Sequence, residues 1–127
     1  MLFFIALGGA AGALARYGLG GWMHARLGAA FPWGTFAVNA IGCLLVGFFL
    51  RTSESVVITP ELRAGIAIGL LGAFTTFSTF SWEALALMRD GEWGRAGAYI
   101  GGSVLLGLAA AAAGIATAAT LYGRAAR

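Results

Sequence analysis

Long runs without a charged residue constrain the fold of this chain more than any other feature. Leu27–Leu50, Ala64–Trp82 and Ala96–Gly123 are three such runs, and Met1–Ala15 is uncharged as well. About 20 predominantly apolar residues cross a bilayer as an α-helix. Of the 127 residues, 60% are hydrophobic and 10% charged. The sequence therefore predicts an all-α integral membrane protein with four transmembrane helices, in one domain over residues 1–127.

Local signals place the ends of these four spans. The spans are predicted at about Leu2–Trp22, Trp33–Leu50, Pro60–Met88 and Glu92–Leu121. Thr59, Pro60 and Glu61 are typical of a helix N-terminus, because they supply a cap, a favourable first residue and an acid near the positive helix end. The first span lacks a preceding basic segment and contains Arg16, so we interpret it as a retained helix rather than a cleaved signal.

Arginines are almost evenly divided between the two predicted sides of the membrane. One side carries Arg51, Arg63, Arg124 and Arg127, and the other carries Arg26, Arg89 and Arg95. This distribution gives the positive-inside rule little bias. Another cue fixes the topology, or the chain inserts in both orientations and forms an antiparallel homodimer. The scattered arginines do not form a nucleic-acid patch.

Glycine spacing favours close helix packing. Gly8, Gly12, Arg16 and Gly20 recur every four residues on one face of the first span, and Gly97 and Gly101 form a GxxxG pair in the fourth. Small residues let helices approach closely in lipid. Four helices alone enclose little interior, so we expect a dimer rather than a monomer.

Polar side chains inside the spans mark candidate functional positions. Thr35, Asn39 and Gly42 share a face of the second span. Hydrocarbon cannot satisfy the N–H groups of Asn39, so its carboxamide either bonds another helix or faces a polar path. In the fourth span, Tyr99 and Ser103 also share a face, although a tyrosine near a helix end is equally typical of an interfacial anchor.

Arg16 and Glu83 are the charged residues most nearly inside the spans. They pair with each other, or Arg16 attracts anions to a vestibule. Alternatively, both side chains snorkel to the interface.

The stretch GAFTTFSTFSW, residues 72–82, combines aromatic rings with many hydroxyl groups. Phe74, Phe77 and Phe80 recur every third residue, and hydroxyls occupy positions 75, 76, 78, 79 and 81. These hydroxyls surround most of a straight helix, and Gly72 beside two threonines indicates an interruption of the third helix. Interrupted helices occur in membranes where freed backbone groups face protein, an ion or water. Freed carbonyls suit a small cation, and hydroxyl donors suit an anion.

Three segments resemble the signature segments of one family in order and spacing. GGAAGALARY (8–17), GTFAVNAIG (34–42) and GAFTTFSTF (72–80) are similar to those of the Fluc/CrcB fluoride channels. The resemblance implies a passive, fluoride-selective channel of the cell inner membrane that protects microbes from fluoride, and not an enzyme. It also implies a dual-topology homodimer with two antiparallel pores and a structural Na⁺ at its centre.

The resemblance also implies roles for individual residues. It assigns Phe77, Phe80 and Asn39 to the pore, with Ser78 and Thr79 as polar neighbours between the two rings. The backbone carbonyls of Gly72 and Thr75 are expected to hold Na⁺ at the break in helix 3. Tyr99 and Ser103 correspond to a polar track on helix 4, and Arg16 to a helix 1 arginine with a structural or vestibule role. Phe74 is then expected to be ordinary packing.

Two other functions fit the same length and composition. A proton-coupled exporter of small cationic drugs, similar to the small multidrug resistance proteins, needs a carboxylate inside a substrate cavity, and Glu83 is the one candidate. A non-transporting assembly subunit would use its glycines and polar groups only to hold helices together.

Overall fold

The computed structural model describes residues 1–123 and shows an all-helical chain. The helices are α1 (Leu2–Leu27), α2 (Trp33–Ser55), α3 (Pro60–Ala64), a π-helix (Gly65–Leu71), α4 (Gly72–Phe74), α5 (Phe77–Arg89) and α6 (Trp93–Tyr122). Within this part of the chain, four spans are long and apolar enough to cross a membrane, with Pro60–Arg89 as the third. The four predicted spans are confirmed. Arg124 and Arg127 lie outside the described residues.

The first two helices extend beyond the predicted boundaries, to Leu27 and Ser55. The 26 residues of α1 span about 39 Å at 1.5 Å per residue. That length crosses the hydrocarbon core and much of the headgroup layers, which together measure about 40–45 Å. Polar residues at the ends of these helices therefore lie beyond the hydrocarbon.

Four helical segments and one extended pair make up the third span. It begins as predicted, because the Thr59 side chain accepts a hydrogen bond from the Leu62 N–H at 3.4 Å. After the π-helix and α4, Thr75 (φ −82°, ψ 158°) and Thr76 (φ −151°, ψ 116°) adopt extended backbone. Thr76 then caps α5 by accepting the Thr79 N–H at 3.3 Å. We refer to Thr75 and Thr76 as the extended pair.

Glycines bring α1 and the π-helix into backbone contact. A Cβ atom at Gly8 would overlap the carbonyl oxygen of Gly65, and one at Gly12 would overlap that of Leu70. Gly8 and Gly12 of the predicted face therefore pack on the first half of the third span, whereas a Cβ atom at Gly20 would meet open space. Gly97 and Gly101 of α6 have open space around them, so their GxxxG face contacts no other described helix.

The second close pair is α2 and α6. Gly47 lies against the carbonyl oxygen of Ala111, and Gly114 lies against that of Leu44. Val38 and Tyr99 are the largest fully buried side chains, and α5 packs on α6 near Tyr99. The third span is therefore divided between two neighbours, since its first half contacts α1 and its second half contacts α6.

Candidate functional site

Asn39 forms a two-point hydrogen bond with the extended pair. Its Oδ1 accepts the Thr76 N–H at 2.8 Å, and its Nδ2 donates to the Thr76 carbonyl oxygen at 3.0 Å. Non-helical backbone inside a membrane needs such partners, because lipid supplies none. Asn39 therefore does bond another span. A carboxamide nitrogen carries two hydrogens, so one N–H donor is left after the bond to Thr76.

The same hydrogen bonds release two backbone carbonyls from helical partners. In a continuous helix, the Thr76 N–H would donate to the Gly72 carbonyl and the Thr79 N–H to the Thr75 carbonyl. Here the Thr76 N–H donates to Asn39 and the Thr79 N–H to the Thr76 hydroxyl. Gly72 and Thr75 are the positions at which the family resemblance implies cation-binding carbonyls. Unwound carbonyls of this kind can coordinate Na⁺ in membrane proteins, so the residues present fit that ion.

Hydroxyl groups cluster at the N-terminus of α5. The Thr76 hydroxyl donates to the Thr79 hydroxyl at 3.0 Å and lies 3.4 Å from that of Ser78. Ser78 and Thr79 are exposed, whereas Thr76 is buried. The N-terminal end of a helix carries partial positive charge, so donors and dipole both favour an anion here.

The phenylalanines of the third span separate into two kinds. Phe74 is buried, as expected for packing, whereas Phe77 is 80% exposed. The rings of Phe77 and Phe80 lie 5.7 Å apart, and Phe80 contacts Tyr99 at 5.1 Å between ring centroids. The two predicted pore rings therefore lie together, away from Phe74.

An open cavity of about 380 Å³ joins most of the predicted site. Its lining includes Asn39, Cys43, Thr75, Thr76, Phe77, Phe80 and Ser103. The Ser103 hydroxyl oxygen is buried, and residues 1–123 give it no hydrogen-bond partner. The cavity thus places an amide donor, an available hydroxyl and two aromatic rings around one space, which we call the Asn39 cavity.

Glu83 accepts two hydroxyl hydrogen bonds from neighbouring helices. The Thr35 hydroxyl donates to its Oε1 at 2.9 Å, and the Tyr99 hydroxyl donates to its Oε2 at 2.6 Å. These three residues form the Glu83 cluster, in which a carboxylate is satisfied without a cation. Tyr99 is fully buried and is not an interfacial anchor.

Of the alternatives for Arg16 and Glu83, a pairing of the two is absent from residues 1–123. The ion pairs among residues 1–123 are Arg51–Glu54 and Arg95–Glu92. The physical reason is the divided packing of the third span. Arg16 belongs to α1, which packs on the π-helix and α4, whereas Glu83 belongs to α5 and bonds α2 and α6.

Sequence reasoning missed Thr76, although the structure gives it a central place. It pairs with Asn39, caps α5 and contacts two further hydroxyls. Its signal was present, because threonine is among the residues preferred at a helix N-cap. The five hydroxyls of this stretch obscured it, since they were interpreted as one group.

These features define a multi-pass membrane protein with a largely apolar cavity that carries a few polar groups beside non-helical backbone of its third span. That arrangement is typical of proteins that carry small ions through lipid. The chain belongs to the CrcB family, whose model, described as "CrcB-like protein, Camphor Resistance (CrcB)", matches residues 3–115. The resemblance of the three sequence segments is therefore confirmed.

Curated relatives match most of the chain. A protein of Thermus thermophilus is 53% identical over 104 residues, 82% of each chain. One of Stutzerimonas stutzeri is 49% identical over 122 residues, 93% of this chain and 96% of its own. A third, from Acidobacterium capsulatum, is 47% identical over 108 residues, 84% of this chain and 86% of its own. Each is named fluoride-specific ion channel FluC.

Proposed function

We propose that this protein is a passive, fluoride-selective channel of the inner membrane, and that it is not an enzyme. Membership of the CrcB family and the shared name of its relatives support this function. The observation that carries it is the Asn39 cavity, which gathers uncharged donors and two aromatic rings beside the extended pair. Such groups replace hydration water while binding weakly enough for an ion to leave.

Fluoride is small and strongly hydrated, so its path must supply many weak donors in succession. The second N–H of Asn39 and the hydroxyl of Ser103 lie in the cavity, and the hydroxyls of Ser78 and Thr79 lie at the exposed start of α5. Aromatic rings have electropositive edges. Phe77 and Phe80 therefore present a surface that attracts the anion and excludes bulk water.

An antiparallel homodimer with one path in each protomer completes the proposal. Phe77 is 80% exposed in a single protomer, and the cavity that it lines is open rather than enclosed. The balanced arginines permit insertion in both orientations. A reporter fused to the C-terminus should give a signal on both sides of the membrane. A signal on one side alone would contradict dual topology.

The extended pair serves, in this proposal, as an interruption of helix 3 that binds Na⁺ at the dimer centre. The carbonyls of Gly72 and Thr75 are released from helical partners, and Gly72 is exposed where a second protomer can approach. When bound, Na⁺ would neutralise the carbonyl dipoles of both protomers. The protein should be more stable to heat in NaCl than in N-methylglucamine chloride. Equal stability in both salts would argue against the ion.

Fluoride flux is the direct test of the proposed function. Purified protein in liposomes should release fluoride down its gradient and retain chloride, and equal rates for both ions would contradict selectivity. Phe80→Ile should strongly reduce flux in an intact dimer, whereas Phe48→Ile, at the other end of the second span, should not. Absence of any flux would favour an assembly subunit. Drug transport that depends on a proton gradient and on Glu83 would favour the multidrug exporter.

A further inference from the structure

The tripeptide Phe31-Pro32-Trp33, between α1 and α2, holds one aromatic side chain in a fixed direction. Gly28 ends α1 with a φ of 79°, which favours glycine. Pro32 has φ −78° and ψ 62°, and the Trp33 N–H donates to the Phe31 carbonyl at 2.8 Å. These values define an inverse γ-turn, and proline fixes its φ angle. The turn therefore fixes the backbone from which the Phe31 ring projects.

Phe31 lies at the centre of an aromatic cluster that covers Tyr99. Its ring lies 4.6 Å from that of Trp33, 5.8 Å from Phe36 and 5.5 Å from Tyr99. The contact with Tyr99 is edge-to-face, with an interplanar angle of 86°, which is a favoured geometry for aromatic pairs. Tyr99 has 0% exposure, whereas Phe31 is half-buried.

A continuous series of rings connects this loop to the Asn39 cavity. Phe31 contacts Tyr99, Tyr99 contacts Phe80 at 5.1 Å, and Phe80 contacts Phe77 at 5.7 Å. Tyr99 is thus held in three ways: by Phe31, by Phe80, and by the 2.6 Å hydrogen bond from its hydroxyl to Glu83. Of these four rings, Phe77 and Phe80 line the cavity.

We propose that Phe31 is a positioning residue of the ion pathway, which holds the Tyr99 ring and through it the Phe80 ring at the cavity wall. The proposal rests on fluoride conduction by this protein. Phe31 does not line the cavity and makes no contact with the ion. Its contribution lies in restricting the ring on which Phe80 packs, since interior packing is dense and a lost ring leaves space for its neighbours to move.

The test is fluoride efflux from liposomes that contain wild type or a Phe31 variant. Phe31→Ala should lower the initial rate about tenfold, equivalent to about 1.4 kcal/mol in the barrier. Phe31→Tyr keeps the ring and should restore the rate to within about twofold, whereas Phe31→Leu keeps bulk alone and should stay low. If the alanine variant does not fold, the tyrosine and leucine variants decide the question by the same comparison.

A matched control exists at the other end of α2. Phe48 packs on Tyr122 with 6.4 Å between centroids and an interplanar angle of 60°, and the pair lies away from the Asn39 cavity. Phe48→Ala should keep the wild-type rate. If the wild type conducts fluoride and the Phe31→Ala and Phe48→Ala variants conduct at equal rates, the proposal for Phe31 is overturned while the proposed function stands. A wild type that conducts no fluoride would overturn the proposed function itself.

A double-mutant cycle distinguishes positioning through Tyr99 from a general loss of stability. Tyr99→Phe removes the hydroxyl held by Glu83 and keeps the ring. The free-energy effects of residues that do not interact add within about 0.3–0.5 kcal/mol. If Phe31 and this hydroxyl restrain the same ring, the fold-change in rate of the double variant should therefore differ by more than about twofold from the product of the two single fold-changes. Multiplicative effects would contradict action through Tyr99.

Discussion

Replacing Asn39 by alanine should destabilise the protein and abolish conduction together. The substitution removes the acceptor at 2.8 Å from the Thr76 N–H and the donor at 3.0 Å from the Thr76 carbonyl oxygen. Thr76 is 9% exposed. Leaving a buried polar group unpaired costs about 1–3 kcal/mol, so two such groups cost together about 2–6 kcal/mol. That cost is a large fraction of the stability of a small domain, about 5–15 kcal/mol.

The assay combines the apparent midpoint of thermal unfolding in detergent with fluoride efflux from liposomes. Asn39→Ala should unfold at a lower temperature and release fluoride at the rate of empty liposomes. Asn39→Asp should be intermediate in stability, because its carboxylate still accepts the Thr76 N–H but donates nothing to the carbonyl. Its efflux should also be lost, because the new negative charge repels the anion.

Thr117→Ala is the control for loss of a hydrogen bond as such. The Thr117 hydroxyl donates to the Ala113 carbonyl at 2.8 Å on the exposed side of α6. Its removal should change stability by less than about 0.5 kcal/mol, as for most exposed sites, and leave efflux unchanged. An Asn39→Ala protein that unfolds and conducts like wild type would refute the assignment of Asn39 to the extended pair.

Two further predictions concern packing and the Glu83 cluster. Gly12→Ala should lower the unfolding midpoint by the equivalent of about 1–3 kcal/mol, because its Cβ overlaps the Leu70 carbonyl. Gly9→Ala places its Cβ in open space, so it should be neutral or stabilising by up to about 1 kcal/mol. A Gly9→Ala protein less stable than Gly12→Ala would contradict the packing of α1 on the third span. Glu83→Leu should lower stability and efflux more than Glu83→Gln, because it leaves two hydroxyl donors without an acceptor. Equal effects in the two Glu83 variants would show that these hydrogen bonds contribute little.

Local chemistry predicts the spans and their ends. The start of the third span follows from Thr59 and Pro60, whose capping and backbone preferences act within one helical turn. The polar nature of Asn39 likewise predicts that it needs a partner. That this partner is Thr76, 37 residues away, depends on how α2 and the third span pack, and a local sequence pattern does not predict that packing.

The Glu83 cluster was missed for the same reason. Glu83 lies near a predicted span end, where snorkelling or pairing with Arg16 satisfies a charge from sequence alone. Its actual partners are hydroxyls of Thr35 and Tyr99 on two other helices. The sequence predicts on which face of its helix each of these two hydroxyls lies. That these two faces and the face of α5 that carries Glu83 meet at one point is a property of the packed structure.

The π-helix at Gly65–Leu71 has no signal that distinguishes it from an α-helix in the sequence. Its glycines are equally typical of ordinary close packing in lipid. The structure shows that Gly65 and Gly69 lie against the backbone of α1. The i→i+5 hydrogen bonds of this π-helix depend on its packing against α1 as well as on its own sequence.

The hydrogen bonds between Asn39 and Thr76 also bear on the order in which the protein folds in the membrane. The bilayer core offers no water, so the peptide groups of Thr76 need partners from the moment the third span inserts. Before α2 docks, those partners exist only within the span itself, as an unbroken helix. We therefore expect Pro60–Arg89 to insert as one continuous helix and to open at Thr75 and Thr76 when it meets Asn39. The third span acquires its final backbone through association with a helix that is synthesised earlier.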